Sequence, residues 1–463
     1  MTLTAKRAWL VGAAAAALCV GLAGGARAET IGGALSKAYL NNPDINQQRA
    51  AVRAQDENIP KANAGYLPTV TAQGNVGHLH EELDGVPGIG SEKSDTTPRG
   101  YGVTVNETLW NGNRTGNSVR QAESGVLGAR EQLRNTEQNV LLSAVSDYMD
   151  VLRDTAILDL DRNNVEVLQE QLRQTQDRFN VGEVTRTDVA QAEASLAGAR
   201  ATALTAQSQL QASLAKYHQA IGDDPKSLSP VAPIVRQLPK TLPEAISISQ
   251  LEHPAIVAML YGVDAAALQI KIAEGALYPT VGLQGQLQKR YDYNGTRGEQ
   301  LFTAEVVAQA QWTLWDGGLT YATARQAKEQ LSQQELQTEL QRDQVRAAVV
   351  AAWGANENSS GVLRAARAQV QAAEVALAGV REEAKVGQRT TLDVLNAQQT
   401  LLNARVQLVT AQHDSVVNSY SLLSSVGRLS IGTLGLAVPE YDPRIHFDQV
   451  KNKVWGLRTP DGK

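Results

Sequence analysis

Val181-Gly182-Glu183-Val184-Thr185-Arg186-Thr187-Asp188-Val189 and Val386-Gly387-Gln388-Arg389-Thr390-Thr391-Leu392-Asp393-Val394 are one nine-residue pattern written twice, 205 positions apart. In each, a glycine able to adopt the left-handed conformation ends one helix. Thr185 or Thr390 then N-caps the next, and Asp188 or Asp393, three residues on, completes a capping box. Each pattern is a tight corner between two helices. The neighbourhood of the corners repeats as well: Thr108-Leu109-Trp110 with Thr313-Leu314-Trp315, Arg120-Gln121-Ala122 with Arg325-Gln326-Ala327, and Gly222 with Gly427. Upstream the offset becomes 211, and residues 34–74 match 245–285 at 14 of 41 positions, Pro43/Pro254 and Pro68-Thr69-Val70/Pro279-Thr280-Val281 among them. Similar helix composition does not hold Pro, Gly, Trp and Asp in register, so the chain reads as an internal duplication.

Each copy follows one order. A helix including Asp44 to Asn63 leads to a strand, Thr69 to His78, then a polar segment, Glu81 to Gly100, and a second strand, Tyr101 to Trp110. The second copy gives Thr280 to Gln288, a shorter loop through Asn294-Gly295, and Leu301 to Trp315. Val70, Ala72, Gly74 and Val76 share one strand face by period two, as do Tyr101, Val103, Val105 and Leu109, or Phe302, Ala304, Val306 and Ala308. Two hairpins, four strands in all, are expected. No proline occurs between Pro98 and Pro225 or between Pro279 and Pro439. Asn113 to Asn180 can therefore run as one helix of about 100 Å. Val126, Leu133 and Val140 recur every seven residues along it, a coiled-coil stripe. Asp188 to Ile221 is the shorter return helix. The organisation is a first repeat over 29–222, a Pro-rich linker over 223–243, a second repeat over 244–428, and a polar tail over 429–463, irregular after Pro439.

The 463 residues are 43% apolar but only 5% aromatic, with three Phe, too few for a thick conventional core. A formal charge of −5 gives no basic excess for nucleic acid. Lys6-Arg7, the apolar run Ala8 to Val20 and Ala26-Arg27-Ala28 read as a signal peptide over residues 1–28. The sole cysteine, Cys19, leaves with it, so the exported chain uses neither disulfides nor thiolate-bound metal. No later stretch approaches the ~20 apolar residues of a spanning helix. Membrane entry would be by strands, which must close into a barrel. Spanning barrels need about eight strands or more, so the four either form a small soluble sheet or are pooled among several chains. His78-Leu79-His80 offers two imidazoles on one strand side, better read as loop-edge polar residues than as a metal site. No G-x-S-x-G or P-loop pattern occurs, so no enzyme, cofactor or metal is expected.

The chain resembles the TolC family of outer-membrane channel proteins over essentially its whole mature length. The residues that carry the resemblance are Asn42-Pro43-Asp44-Ile45, Leu67-Pro68-Thr69-Val70, Trp110-Asn111-Gly112, Trp315-Asp316-Gly317, Arg178-Phe179-Asn180-Val181-Gly182, Thr187-Asp188-Val189 and Thr391-Leu392-Asp393-Val394-Leu395. It implies a mainly α fold with a β-barrel part. The chain would be a homotrimer whose four strands per copy build a shared twelve-stranded barrel in outer-membrane lipid, above a long periplasmic coiled-coil extension. A periplasmic adaptor (membrane fusion protein) and an inner-membrane transporter are the implied partners. The implied function is a passive exit duct for type I secretion or multidrug efflux. Tyr441-Asp442-Pro443 and His446 look like the type I secretion branch. By the same resemblance, Val181, Gly182, Glu183, Val386 and Gly387 would be the adaptor-docking tips, and Thr187, Asp188, Arg389 and Asp393 the periplasmic gate. Glu183 stands where the family usually has Leu, Ala384 where an aromatic is usual, and Asn396 where a second acid would join Asp393. The alternative function is a periplasmic coiled-coil adaptor without a pore.

Overall fold

A stretch without proline keeps every backbone N–H available to the helix ladder. In the computed structural model, which describes residues 28–83, 92–293 and 296–462, the two such stretches each form one helix of 67 residues, α4 (Arg114–Asn180) and α8 (Leu319–Lys385). Each turns at its corner into a shorter helix, α5 (Arg186–Ile221) and α9 (Thr391–Ser425). The expected stripe is buried at Val126, Leu133 and Val140. Before the first strand stand α1 (Ile31–Asn41), α2 (Pro43–Asp56) and α3 (Asn58–Asn63), and at the corresponding place later in the chain α6 (Leu242–Glu252) and α7 (Pro254–Gly275).

Four expectations need correction. The helix expected over 44–63 is broken after Asp56. Pro60 has no N–H for the Asp56 carbonyl and its ring crowds that oxygen. The polar segment after the first strand contains a ribbon, β2 (Leu79–Leu83) with β3 (Glu92–Thr96), so the described residues hold six strands instead of four. Opposite charges across the ribbon, Lys93 Nζ to Glu82 Oε1 at 2.6 Å, favour that pairing. The tail after Pro439 is not irregular: beyond the short α10 (Ile431–Leu434), α11 (Pro443–Val450) forms there, capped by Asp442 with His446 and Val450 buried. Finally, Leu242–Gly275 is long and apolar enough to cross a membrane. It is two helices meeting at His253-Pro254, however, and Gln121 of α4 donates to the Ala265 carbonyl (3.2 Å) and to Gln269 (3.0 Å) on α7. The leader through Arg27 and the Asn294-Gly295 loop lie outside the described residues.

The chain divides into two units. One holds the chain up to Asn46, Thr136–Ser249 and Ala347–Glu440. Its helices pack through Leu168, Leu196 and Leu395 in one cluster and Ala373, Leu377, Leu401 and Ala404 in another. The single O–H of buried Tyr148 lies between the carbonyls of Glu29 (2.7 Å) and Ser229 (2.8 Å), fastening the segment before α1. The other unit holds Gln47–Asn135, Gln250–Arg346 and the chain from Tyr441. There Ala273 of α7 meets Ala324 and Ala327 of α8. This unit also carries a four-stranded antiparallel sheet in the order β1-β4-β5-β6, with β1 (Thr69–Val76), β4 (Arg99–Trp110), β5 (Thr280–Tyr291) and β6 (Gln300–Gln311).

Candidate functional site

The corners form as the sequence requires. Gly182 has φ +83° and Gly387 φ +78°, and the next residue's N–H closes each helix end, Glu183 to the Arg178 carbonyl (2.9 Å) and Gln388 to Glu383 (3.0 Å). Both capping boxes are present. Asp188 N–H donates to Thr185 Oγ1 (3.3 Å) while Thr185 N–H donates to Asp188 Oδ2 (2.9 Å); Thr390 and Asp393 repeat this at 3.2 and 2.9 Å. The Thr185 side chain and backbone hold the Asp188 carboxyl below its ordinary pKa, and the Thr390 backbone and side chain do the same for Asp393. Both aspartates are therefore ionised at neutral pH.

Val181, Gly182, Glu183, Val386 and Gly387 are all exposed at these corners, as is Thr187. Within one chain Asp188 and Arg389 are not joined. Arg389 Nε instead donates to Glu383 Oε2 at 2.8 Å, and Glu183 pairs with Arg178 Nε at 3.0 Å. Those two pairs were not legible in the sequence, because each forms around a corner whose geometry had to be known first.

The register of the sheet sorts most of its side chains by polarity, though the apolar face also carries the charged residues Glu107 and Lys289. One face carries the cross-strand rows Val70–Val105–Gly285–Val306, Ala72–Val103–Leu287–Ala304 and Gly74–Tyr101–Lys289–Phe302. The other carries Thr71–Thr104–Gln286–Glu305 and Gln73–Gly102–Gln288–Thr303. The apolar face is uncovered: Val70 is 65% and Val306 74% exposed. Aromatic rings stand at both ends of the strands, Tyr101 against Tyr291 (centroids 6.5 Å apart) and Trp110 edge-on to Tyr278 (6.1 Å). Tyr101 and Trp110 are separated along β4 by about 30 Å at ~3.3 Å per residue, close to the ~25 Å apolar band with aromatic girdles of an outer-membrane barrel. β1 and β6 are each paired on one side only.

Among the described residues no group of three or more His, Cys, Asp and Glu is placed to hold a metal ion. His78 Nε2 and His80 Nδ1 each lie 3.2 Å from Asp95 Oδ1, exposed on the ribbon.

Paired long helices with an incomplete, apolar-faced sheet make the fold of an outer-membrane channel subunit. The Campylobacter jejuni CmeC outer membrane channel superposes with a TM-score of 0.78 at 15% identity, over 91% of this chain and 89% of that one. The open state of the Neisseria gonorrhoeae MtrE outer membrane channel gives 0.69 at 18% identity, over 86% and 88%. The sequence model of the outer membrane efflux protein family matches residues 34–223 and 245–428. Outer membrane efflux protein BepC of Brucella suis biovar 1 (strain 1330) is 42% identical over 438 residues, covering 95% of this chain and 94% of that protein. Outer membrane protein TolC of Escherichia coli (strain K12) is 23% identical, over 87% and 83%. The chain belongs to the outer membrane efflux protein family, the TolC family of channel-tunnel proteins, and like its members it is not an enzyme.

Proposed function

We propose that three copies close their four-stranded sheets into one twelve-stranded barrel in the outer membrane, and that the assembly is a passive exit duct for efflux or type I secretion. The observation that carries this reading is the sheet itself. Its apolar face is bare, and β1 and β6 each leave a row of backbone groups unpaired, which hydrocarbon does not tolerate. Identical copies supply the missing partners without new sequence. A poreless adaptor would have no use for such a face. The two repeats over 29–222 and 244–428, with the linker 223–243 between them and the tail 429–463 behind, each contribute one hairpin and one long helix pair per copy.

The exposed valine-glycine corners are the surface offered to a periplasmic adaptor, which recruits an inner-membrane transporter as the source of energy. The gate is a set of polar links between neighbouring helices. Every capping contact of Asp188 uses Oδ2, which leaves Oδ1 as an acceptor for Arg389, with Thr187 alongside and Asp393 supplying the acidic ring. Detergent extraction of outer membranes tests the reading: a trimeric species with steady conductance in planar bilayers supports it, and a water-soluble monomer overturns it. Asp188→Ala combined with Arg389→Ser should raise single-channel conductance; an unchanged value would remove the latch.

A further inference from the structure

Every connection between helix and strand is made at one end of the sheet. α3 leads toward Thr69 of β1 and α7 toward Thr280 of β5, while β4 leaves through Trp110 toward α4 and β6 through Gln311 toward α8. Val76, Arg99, Tyr291 and Gln300 stand at the opposite end, where they register as one further row of the apolar face. Under the reading above, in which the long helices are periplasmic, this end faces outward.

Here the apolar face changes character. Lys289 stands between Tyr101 and Phe302 in one row, and Arg99 between Val76 and Tyr291 in the next. The Arg99 guanidinium carbon is 5.3 Å, and Lys289 Nζ 5.2 Å, from the centroid of the same Tyr291 ring, against which Tyr101 also packs. Attraction to the ring gathers both cations on one small patch. Among the described residues neither is paired with a carboxylate. The one acid that the four strands place on this face, Glu107, is opposite Leu283, about 20 Å along β5 from Lys289 at ~3.3 Å per residue. A lipid-facing cation is disfavoured in mid-bilayer and tolerated near its surface. The repulsion between two such charges remains, and an anion seated between them removes it.

We propose that Arg99 and Lys289, with Tyr101 and Tyr291 beside them, bind a phosphate-bearing lipid headgroup of the outer leaflet, one on each copy. The proposal rests on the trimeric barrel reading, which turns this face toward lipid. The guanidinium and the ammonium supply charge-assisted donors to phosphate oxygens. The two tyrosine rings suit the boundary between headgroup and hydrocarbon, and Phe302, 66% exposed in the same row as Lys289, offers an apolar surface to the acyl chains. The neighbouring cation takes no part. Arg290 belongs to the other face, in the row Asn75–Gly100–Arg290–Leu301, and donates to Gln288 Oε1 at 2.7 Å.

Native mass spectrometry of the protein purified from outer membranes in a neutral detergent tests it, by counting the lipids retained after incubation with a diphosphorylated glycolipid (lipid A). Trimers carrying up to three lipids are expected, and the same lipid stripped of its phosphates should not be retained. Arg99→Gln with Lys289→Gln should weaken retention about 25-fold, taking about fivefold for each cation at a lipid surface. Arg99→Lys with Lys289→Arg should keep it, and Arg290→Gln should leave it unchanged. Equal retention of the phosphate-free lipid by the parent trimer overturns the headgroup site without any variant. A trimeric double variant that binds like the parent overturns it too. Displacement of the lipid by an equal concentration of inorganic phosphate makes this a free-phosphate site and overturns the lipid assignment. Monomers in the parent spectra overturn the trimeric reading, and the headgroup site falls with it.

Discussion

The two repeats differ most where the sequence offers the tail a hold. At Arg49, Asp56, Pro60 and Arg130 the first repeat carries two cations, a buried acid and a helix breaker; the aligned positions of the second are Leu260, Ala267, Lys271 and Glu335. The consequences run from sequence to packing. Pro60 ends α2 at Asp56, whereas α7 runs unbroken through the corresponding stretch. Asp56 is completely buried, and burial raises its carboxyl pKa against the opposing effect of the His446 hydrogen bond. Duplication supplied two equivalent halves, but there is one tail, and only the half bearing the acid can bind it.

Removing that acid should have the largest effect. Asp56→Ala leaves the His446 and Arg130 side chains facing a buried site with no counter-charge, and breaking a buried pair by deleting one partner costs about 3–5 kcal/mol. The expected outcome is a large fall in the unfolding temperature together with protease cleavage of the chain after Tyr441. Adding Ala267→Asp in the second repeat should not restore the tail, since Leu260 and Glu335 provide no cation. Recovery of protection in that double variant would break the asymmetry argued here.

A second asymmetry sits in the return helices. His413 of α9 has Asp150 Oδ1 2.9 Å from Nε2 and Asp414 Oδ1 2.8 Å from Nδ1; the aligned residue of α5 is Ser208. Burial of the ring opposes its charge, but the two carboxylates outweigh it and the imidazole pKa is raised, with Arg153 also nearby. A raised folded-state value means that the stabilisation is complete below the unfolded value of about 6.5 and is lost as pH rises through the folded one. His413→Gln should therefore cost about 1.5–3 kcal/mol in mildly acid solution, the range for hydrogen bonds to charged groups. The difference from the parent chain should shrink at alkaline pH in thermal melts followed by helical circular dichroism. A pH-independent difference would mean that shape, not charge, is what His413 contributes.

The corners and the strand faces were legible because each depends on chemistry within a few residues. Glycine at positive φ, threonine followed by aspartate at the third position, and alternation along β1, β6 and β4 as far as Thr108 do not need the rest of the chain to be read; a bulge between Thr108 and Trp110 takes Leu109 out of the expected row. The ionic hold on the tail was not legible: His446 lies 390 positions from Asp56, and neither has a local pattern that points to the other. The ribbon β2–β3 was missed because its strands, Leu79–Leu83 and Glu92–Thr96, are charged on both sides and show no apolar period. The break at Asp56 could have been read from Pro60 alone. The gate residues Asp188 and Arg389 were assigned from the family resemblance alone, and a single chain engages each with its own corner.

Smaller effects test how alike the corners are. Thr185→Ala and Thr390→Ala each delete the same cap, so each should cost about 1 kcal/mol, and equally. Because the Asp188 and Asp393 carboxyls are held below their ordinary pKa, the boxes contribute above the unfolded value of about 3.9 and are lost as pH falls through the lower folded one. Two unequal costs at neutral pH would show that one corner is held by something besides its box.

The smallest stability effect carries the sharpest comparison. At the first corner an acid directly follows the glycine, Glu183 paired back to Arg178; at the second a base stands two residues after it, Arg389 paired back to Glu383. Both pairs are exposed, so Arg178→Ala and Arg389→Ala should each leave stability nearly unchanged. Their effects on conductance should nevertheless differ. The proposed latch needs a cation that leaves its own corner for an acceptor on another, and in that proposal the cation is Arg389 and the acceptor Asp188. Arg178 belongs to the last turn of α4 and is tied to the residue just past its own corner. Arg389→Ala should therefore raise single-channel conductance while Arg178→Ala leaves it unchanged. Equal responses would show that the corners act through their shared shape and that the exchanged charges do not set the gate.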